Sequence, residues 1–300
     1  MTRHHVVAIA GPEAELTSTE SASLLAELSE IRHDEPRWLA RGEACDIAIE
    51  LDVPEEAVNV TERLRRACTP HAIDIAIVPN SHRRKRLLVA DMESTIIRQE
   101  CLDELAEFVG LRDRVSDITA RAMRGELDFE AAIKARVSLL KGLSESVLEQ
   151  VMQDRVELVS GARALVQTMR ADGAYCVLVS GGFTYFSSRV SDIVGFHEHQ
   201  ANELKIENRA LTGEVQEPIL GREAKLTALD YYCSEHGLRH EEALAVGDGA
   251  NDLTMIKAAG LGVAYHAKPV VAAEADVQIS HTDLTALLYL QGYNKEEFVS

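Results

Sequence analysis

Between Leu87 and Ala90 four apolar residues stand in a row and stop at Asp91, where the polar turn Met92-Glu93-Ser94-Thr95 begins. A short unbroken apolar run predicts a strand buried on both faces, as in a parallel sheet. Similar runs predict strands over 175–179, 243–246, 261–264 and 276–279, and two short strands around a turn over 203–215. Helical spacing fills the gaps at 161–171, 183–194, 225–236 and 253–259. Repeated strand-helix units predict an α/β fold, a doubly wound, Rossmann-like parallel sheet. From 98 to 155 strand patterns are missing, while Leu102, Leu105, Ala106 and Val109 share one helical face and further helices are predicted over 131–140 and 146–152. A helical insertion directly after the first core strand can act as a cap that excludes water, or serve as structural padding.

The first eighty residues alternate differently. Strands are predicted at 6–10, 37–40, 45–51 and 73–78, with helices over 21–31 and 54–68. The order strand, helix, strand, strand, helix, strand predicts an α+β, ferredoxin-like (ACT-like) domain. The chain therefore divides into an accessory domain over 1–80 and a larger α/β domain over 81–300, with its cap at about 98–155. The accessory domain could pack, dimerise or sense a ligand, because a fold by itself carries no function. Between the two lies Ser81-His82-Arg83-Arg84-Lys85-Arg86, which lacks interleaved aromatic residues and is expected to be a solvated linker rather than a nucleic-acid patch.

Composition narrows the function classes. Lys and Arg number 31 against 49 Asp and Glu, a formal net charge of -18, which disfavours nucleic acid and anionic membrane surfaces as partners. The five cysteines are scattered and never form a CxxC pair, so neither a disulfide framework nor a zinc site is expected, and a reducing cytoplasm fits. The N-terminal apolar stretch is too short for a signal peptide, and no run of about 18 apolar residues occurs.

Three strand ends carry chemistry: Asp91 with Glu93, Ser94 and Thr95; Ser180 with Gly181 and Gly182; and Asp248 with Asn251 and Asp252. In a doubly wound sheet such turns meet at one edge. Asp91 alone could be solvated, cap a helix, bind a metal or attack an electrophile. Carboxylates gathered there repel unless a cation lies between them, and hard oxygen donors favour magnesium over zinc. Glycine amides at a helix start suit phosphate, and Lys225 could supply a fixed positive charge.

Taken together, these motifs closely resemble the haloacid dehalogenase superfamily and, within it, the phosphoserine phosphatases. The resemblance runs from about 87 to 279 and rests on DMEST at Asp91, Glu100 in ECLDELAEFVG, the cap stretch AMRGELDFEAAIKARVSLLKGL, VSGGF at Val179, Lys225 and VGDGANDLTM at Val246. It implies Mg2+-dependent hydrolysis of O-phospho-L-serine through an aspartyl-phosphate on Asp91, the last step of serine biosynthesis. By the same resemblance, Asp91, Asp248 and the backbone carbonyl of Glu93 would hold the metal with Asp252 in support. Ser180, the Gly181 amide and Lys225 would grip the phosphoryl oxygens, helped by Asn251. Glu100 would meet the substrate ammonium, Arg136 its carboxylate, and Met123 and Phe129 would roof the site. The family has Asp where this chain has Glu93, the acid and base of the reaction; one extra methylene puts the second half-reaction in doubt more than metal binding. Alternatives are another small phosphomonoester as substrate, or a weakly active serine or phosphoserine sensor. A homodimer is also compatible with the sequence.

Overall fold

The apolar runs build two main sheets in the computed structural model, which describes residues 2–52, 55–68, 71–123 and 126–299, with the side chains of 55, 120, 122 and 123 excepted. The N-terminal module follows the expected order: β1 (Thr2–Ala10), α1 (Ser18–Glu27), β2 (Arg37–Ala40), β3 (Ala44–Leu51), α2 (Glu55–Cys68) and β4 (Ile73–Pro79). Its strands lie in the order β2-β3-β1-β4, every pair antiparallel, which is the ferredoxin-like arrangement. Alternation sorts the strand residues by face. Val6, Ala8, Ile47 and Ile49 pack beneath Leu24, Leu28 and Leu64 of the helices. Val7, Ile9, Ala76 and Val78 face the other way and join the core of the second sheet. Helix α1 starts three residues before the predicted Ser21, because Thr17 and Glu20 form a reciprocal capping box upstream of the periodic stretch.

The second sheet has six strands, all parallel: β5 (Leu87–Ala90), β6 (Tyr175–Phe183), β7 (Glu198–Asn202), β10 (Ala243–Gly247), β11 (Leu261–Tyr265) and β12 (Val277–Ile279), in the order β12-β11-β10-β5-β6-β7. Sequence periodicity misses β7, whose polar residues EHQAN suit an edge position. Strand β6 continues through Ser180-Gly181-Gly182 to Phe183, where a turn was expected after Val179. The cap is helical as expected, with α3 (Cys101–Phe108), α4 (Arg112–Met123), α5 (Phe129–Ser138) and α6 (Ser146–Asp154). An antiparallel hairpin of β8 (Leu204–Glu207) and β9 (Ala210–Val215) is stitched to it, Gly142 N donating to Leu211 O and Leu211 N to Leu143 O, each at 2.8 Å. Helices α7 (Ala162–Ala171), α8 (Thr184–Val194), α9 (Ala224–Glu235) and α10 (Leu253–Ala258) connect the sheet strands, joined by two short helices absent from the sequence reading, α11 (Pro269–Ala272) and α12 (Ala286–Leu290).

The basic segment 81–86 is only partly solvated: Ser81, His82, Arg84 and Arg86 are exposed, while Arg83 and Lys85 turn inward. Arg83 donates to Asp46 Oδ2 at 2.9 Å and to Leu290 O at 2.9 Å, while Lys85 is buried and donates to Glu241 O at 2.7 Å. Arg84 bonds Glu297 and lies over the Tyr293 ring. Charge spacing cannot reveal this seam, because its acidic and carbonyl partners lie far away in sequence. Among the described residues no helix is long and apolar enough to cross a membrane.

Candidate active site

The site forms at the carboxyl ends of the parallel strands, where such sheets bind ligands. Asp91 leaves β5 with its N–H donating to Val246 O of β10. The next turn closes tightly, as Thr95, Ile96 and Ile97 all donate to Met92 O, and it holds Ser94 at φ 57°. A non-glycine residue in the left-handed region persists only where its surroundings over-determine it. Asp248 follows β10, and Asp252 lies just before α10. Carboxylate oxygens of Asp91, Asp248 and Asp252 lie within 4.8 Å of one another.

Lys225, at the start of α9, reaches into this group. Its Nζ is 2.7 Å from Asp91 Oδ1 and also bonds Asp252 Oδ1. All three residues are buried. Burial alone would lower the Lys225 pKa, but the charges of Asp252 and Asp91 outweigh it and keep the ammonium protonated. The Asp91 carboxyl is pushed well above the ordinary range, first by burial and then by Asp252, against the pull of Lys225. One lysine is thus insufficient for three crowded carboxylates. Such a hard oxygen cluster fits a divalent cation, and Asp91 and Asp248 are the better direct donors. Asp252 already has both oxygens engaged, Oδ1 by Lys225 and Oδ2 by the Gly249 N–H at 2.9 Å.

Strand β6 delivers Ser180, whose Oγ accepts from Gly182 N at 2.9 Å. Ser180, Gly181, Lys225 and Asn251 line one small cavity of about 10 Å³ with Phe129 of the cap across it. Two glycines seat that ring: a Cβ on Gly181 would come 3.5 Å from Phe129 Cζ, and one on Gly221 3.8 Å from its Cδ1. Asn202, at the end of β7, ties the two glycine segments together by donating to Gly181 O at 2.9 Å and accepting from Leu220 N at 2.7 Å.

Glu93 sits beside this cavity. Its Oε1 accepts from Cys101 N at 2.8 Å, and its Oε2 would lie only 2.8 Å from a Cβ on Gly182. An alanine at 182 would therefore crowd the Glu93 carboxyl. Burial first, then the Glu100 charge, raises the Glu93 pKa to about 7 against the Cys101 hydrogen bond and Arg136. Glu100 accepts from Ser94 Oγ at 2.8 Å. Arg136, on α5, donates to Thr119 Oγ1 at 3.4 Å, and its charge is felt together with Glu93, Asp103 and Glu100. Met123 ends α4, but its side chain lies outside the described residues. The structure thus gathers Asp91, Ser180, Gly181, Lys225, Asp248, Asn251 and Asp252 on the sheet edge, with Glu93, Glu100, Phe129 and Arg136 on the cap side. Sequence reasoning missed Gly182, Cys101 and Asn202 as supports. Only the doubled glycine left any signal for them.

A family model for haloacid dehalogenase-like hydrolases matches residues 88–257. A phosphoserine phosphatase of Archaeoglobus fulgidus is 43% identical over 234 residues, covering 77% of this chain and 68% of that protein. The chain spans between 59% and 68% of the length of the first curated relatives it matches. Among solved structures, a HAD family hydrolase of Salmonella enterica serovar Typhi superposes with TM-score 0.83 at 26% identity, covering 98% of this chain and 99% of that one. A probable phosphoserine phosphatase of Vibrio cholerae gives 0.77 at 30% identity, covering 98% and 88%. With its site geometry and these matches, the chain belongs to the phosphoserine phosphatase family of haloacid dehalogenase-like hydrolases.

Proposed function

We propose that this chain hydrolyses O-phospho-L-serine to L-serine and phosphate, with Mg2+ as its metal and a reducing cytoplasm as its setting. The observation that carries the reading is the convergence of Asp91, Asp248 and Asp252 on Lys225 at one sheet edge, beside the Ser180-Gly181 segment. Asp91, Asp248 and the backbone carbonyl of Glu93 would hold the metal, and Asp252 would steady the group through Lys225 and Gly249. Bound there, a divalent cation neutralises charge on the carboxylates and the phosphoryl oxygens.

The chemistry then divides between residues of this chain. An Asp91 oxygen attacks phosphorus, and the bond from phosphorus to the serine oxygen breaks as Glu93 protonates that oxygen. Water next attacks the aspartyl-phosphate, Glu93 takes its proton, and phosphate leaves with Asp91 restored. Ser180, the Gly181 amide and Lys225 face the phosphoryl oxygens, where charge spreads during transfer, and Asn251 completes that wall. Glu100 pairs with the substrate ammonium, and the Arg136 fork takes its carboxylate, a bidentate fit that selects an amino-acid phosphate. Phe129 forms the apolar roof. A helical cap over the sheet edge can close on the substrate and exclude water during the chemistry. Residues 1–80 form an accessory domain.

Phosphate release from L-phosphoserine, with Mg2+ and with EDTA, tests the reading on the wild-type chain and on Asp91→Asn. The expected result is release that requires Mg2+ and vanishes in the variant while its circular dichroism is unchanged. Substantial turnover by Asp91→Asn would remove Asp91 as nucleophile. Tight substrate binding without turnover by the wild type, with turnover restored in Glu93→Asp, would favour a sensor instead.

A further inference from the structure

Strand β4 of the N-terminal module carries Asp74, only 5% exposed. Its Oδ1 accepts from Ser280 N at 2.8 Å, and its Oδ2 accepts from His281 N at 3.0 Å, Thr282 N at 2.9 Å and Thr282 Oγ1 at 2.8 Å. Three successive amides and a hydroxyl on one buried carboxylate make a charge-assisted clamp. The clamped turn directly follows β12, so it fastens the module to the catalytic sheet.

The same turn reaches toward the active site. Thr282 O faces His266 Nε2 at 2.9 Å, and His266 N donates to Ile279 O at 2.8 Å. His266 follows β11 at φ 43°, a left-handed conformation that these two contacts hold in place. Two residues on, Lys268 N donates to Asp248 O at 3.1 Å, and Lys268 Nζ lies 3.7 Å from Asp248 Oδ2. Since Lys225 is engaged by Asp91 and Asp252, Lys268 supplies the positive charge facing Asp248.

We propose that Lys268 is a positioning residue for Asp248, and that the N-terminal module sets its place through Asp74, Thr282 and His266. The proposal rests on the reading of Asp248 as a metal-holding carboxylate. A cation beside that carboxylate competes with the metal for the same negative charge. Lys268 is itself half-exposed, so with the metal in place it adds positive potential on the solvent side of Asp248. The module is thereby coupled to the chemistry without contributing a group to it.

Two measurements on the full-length protein test this: calorimetric titration with Mg2+, and amide hydrogen exchange over 264–268 in the metal-free chain. Lys268→Gln is expected to tighten Mg2+ binding about threefold, the scale of a partly exposed ion pair. Asp74→Ala is expected to tighten it similarly and to speed exchange over 264–268 about tenfold, as local opening becomes easier. His266→Asn breaks the path on the catalytic side should Asp74→Ala not fold, because Asn tolerates the left-handed backbone but its shorter side chain falls short of Thr282 O. The double variant Asp74→Ala/Lys268→Gln is expected to bind Mg2+ no more tightly than Lys268→Gln alone. Wild-type exchange and affinity in His266→Asn, or additive effects in the double variant, would overturn the proposal by itself. A wild-type chain that binds no Mg2+ would overturn the metal reading and the proposal together.

Discussion

Glu93 and Arg136 show how much single residues determine here. Glutamate in place of aspartate lengthens the acid by one methylene, yet its carboxyl has a defined seat between the Cys101 N–H and Gly182. The sequence displays the substitution but not the seat, because the seat is made by a strand 89 residues away, at Gly182. The carboxylate role proposed for Arg136 rests on its motif, since a lone arginine on a helix is ordinarily a surface charge. In the structure it is partly buried, bonded to Thr119 Oγ1 and close enough to Glu93, Asp103 and Glu100 to feel their charge. Arg136→Ala is expected to lower kcat/KM for phosphoserine roughly tenfold to a hundredfold, the scale of lost charged hydrogen bonds. Hydrolysis of an aryl phosphate, which lacks the carboxylate, should change little, and steady-state kinetics on both substrates check the difference. Equal losses on the two would remove the carboxylate role.

Among the elements, β6 is the informative surprise. Periodicity ended it at Val179, but the backbone stays extended through the two glycines to Phe183 and pairs there with Asn202 of β7. Glycine at 182 leaves room for the end of the Glu93 side chain, with no need for a special backbone angle. A Cβ there would stand 2.8 Å from Glu93 Oε2 and 3.0 Å from its Cδ. Gly182→Ala is therefore expected to displace the Glu93 carboxyl by a fraction of an ångström or more and to lower kcat on the order of 10²-fold, with KM and thermal stability little changed. Adding Glu93→Asp should recover part of that loss, because the shorter acid vacates the contact. Rate measurements on the single and double variants decide it, and a double variant as slow as the product of the two singles would reject the steric account. Strand β7 escaped prediction for a related reason: an edge strand pairs on one side only and needs no apolar pattern.

Over the whole molecule, the apolar faces of β1 and β4 join the core of the second sheet, and beside that joint the segment the sequence presented as a solvated linker forms a polar seam. Asp46 of β3 lies at its centre, 3% exposed, accepting from Arg83 and Arg37 at 2.9 Å each and facing His5 Nδ1 at 2.8 Å. Burial alone would raise its pKa, but the His5 hydrogen bond and the Arg83 charge outweigh this and hold the carboxyl well below the usual range. A depressed carboxylate stabilises the fold above its unfolded pKa and loses that contribution as pH falls through its folded pKa. Asp46→Asn is accordingly expected to destabilise the chain by about 3 kcal/mol at neutral pH, the scale for breaking a buried pair. The gap to wild type should close below about pH 4, as the wild-type carboxylate begins to lose its advantage. Denaturant melts of both proteins across that range measure it, and a pH-independent gap would point to packing instead of charge.

The sequence by itself determined the alternating strand-helix core, the helical insertion after its first strand, the βαββαβ module and the strand-end carboxylates. Each of these is written in local periodicity or in a contiguous motif. Only the tertiary structure decided that Lys225 stands between Asp91 and Asp252, that Gly182 makes room for Glu93, and that the basic segment is a seam. It alone placed Asp74 against a turn more than two hundred residues away. These contacts join residues far apart in the chain, so they follow from how elements pack and leave no mark on local spacing.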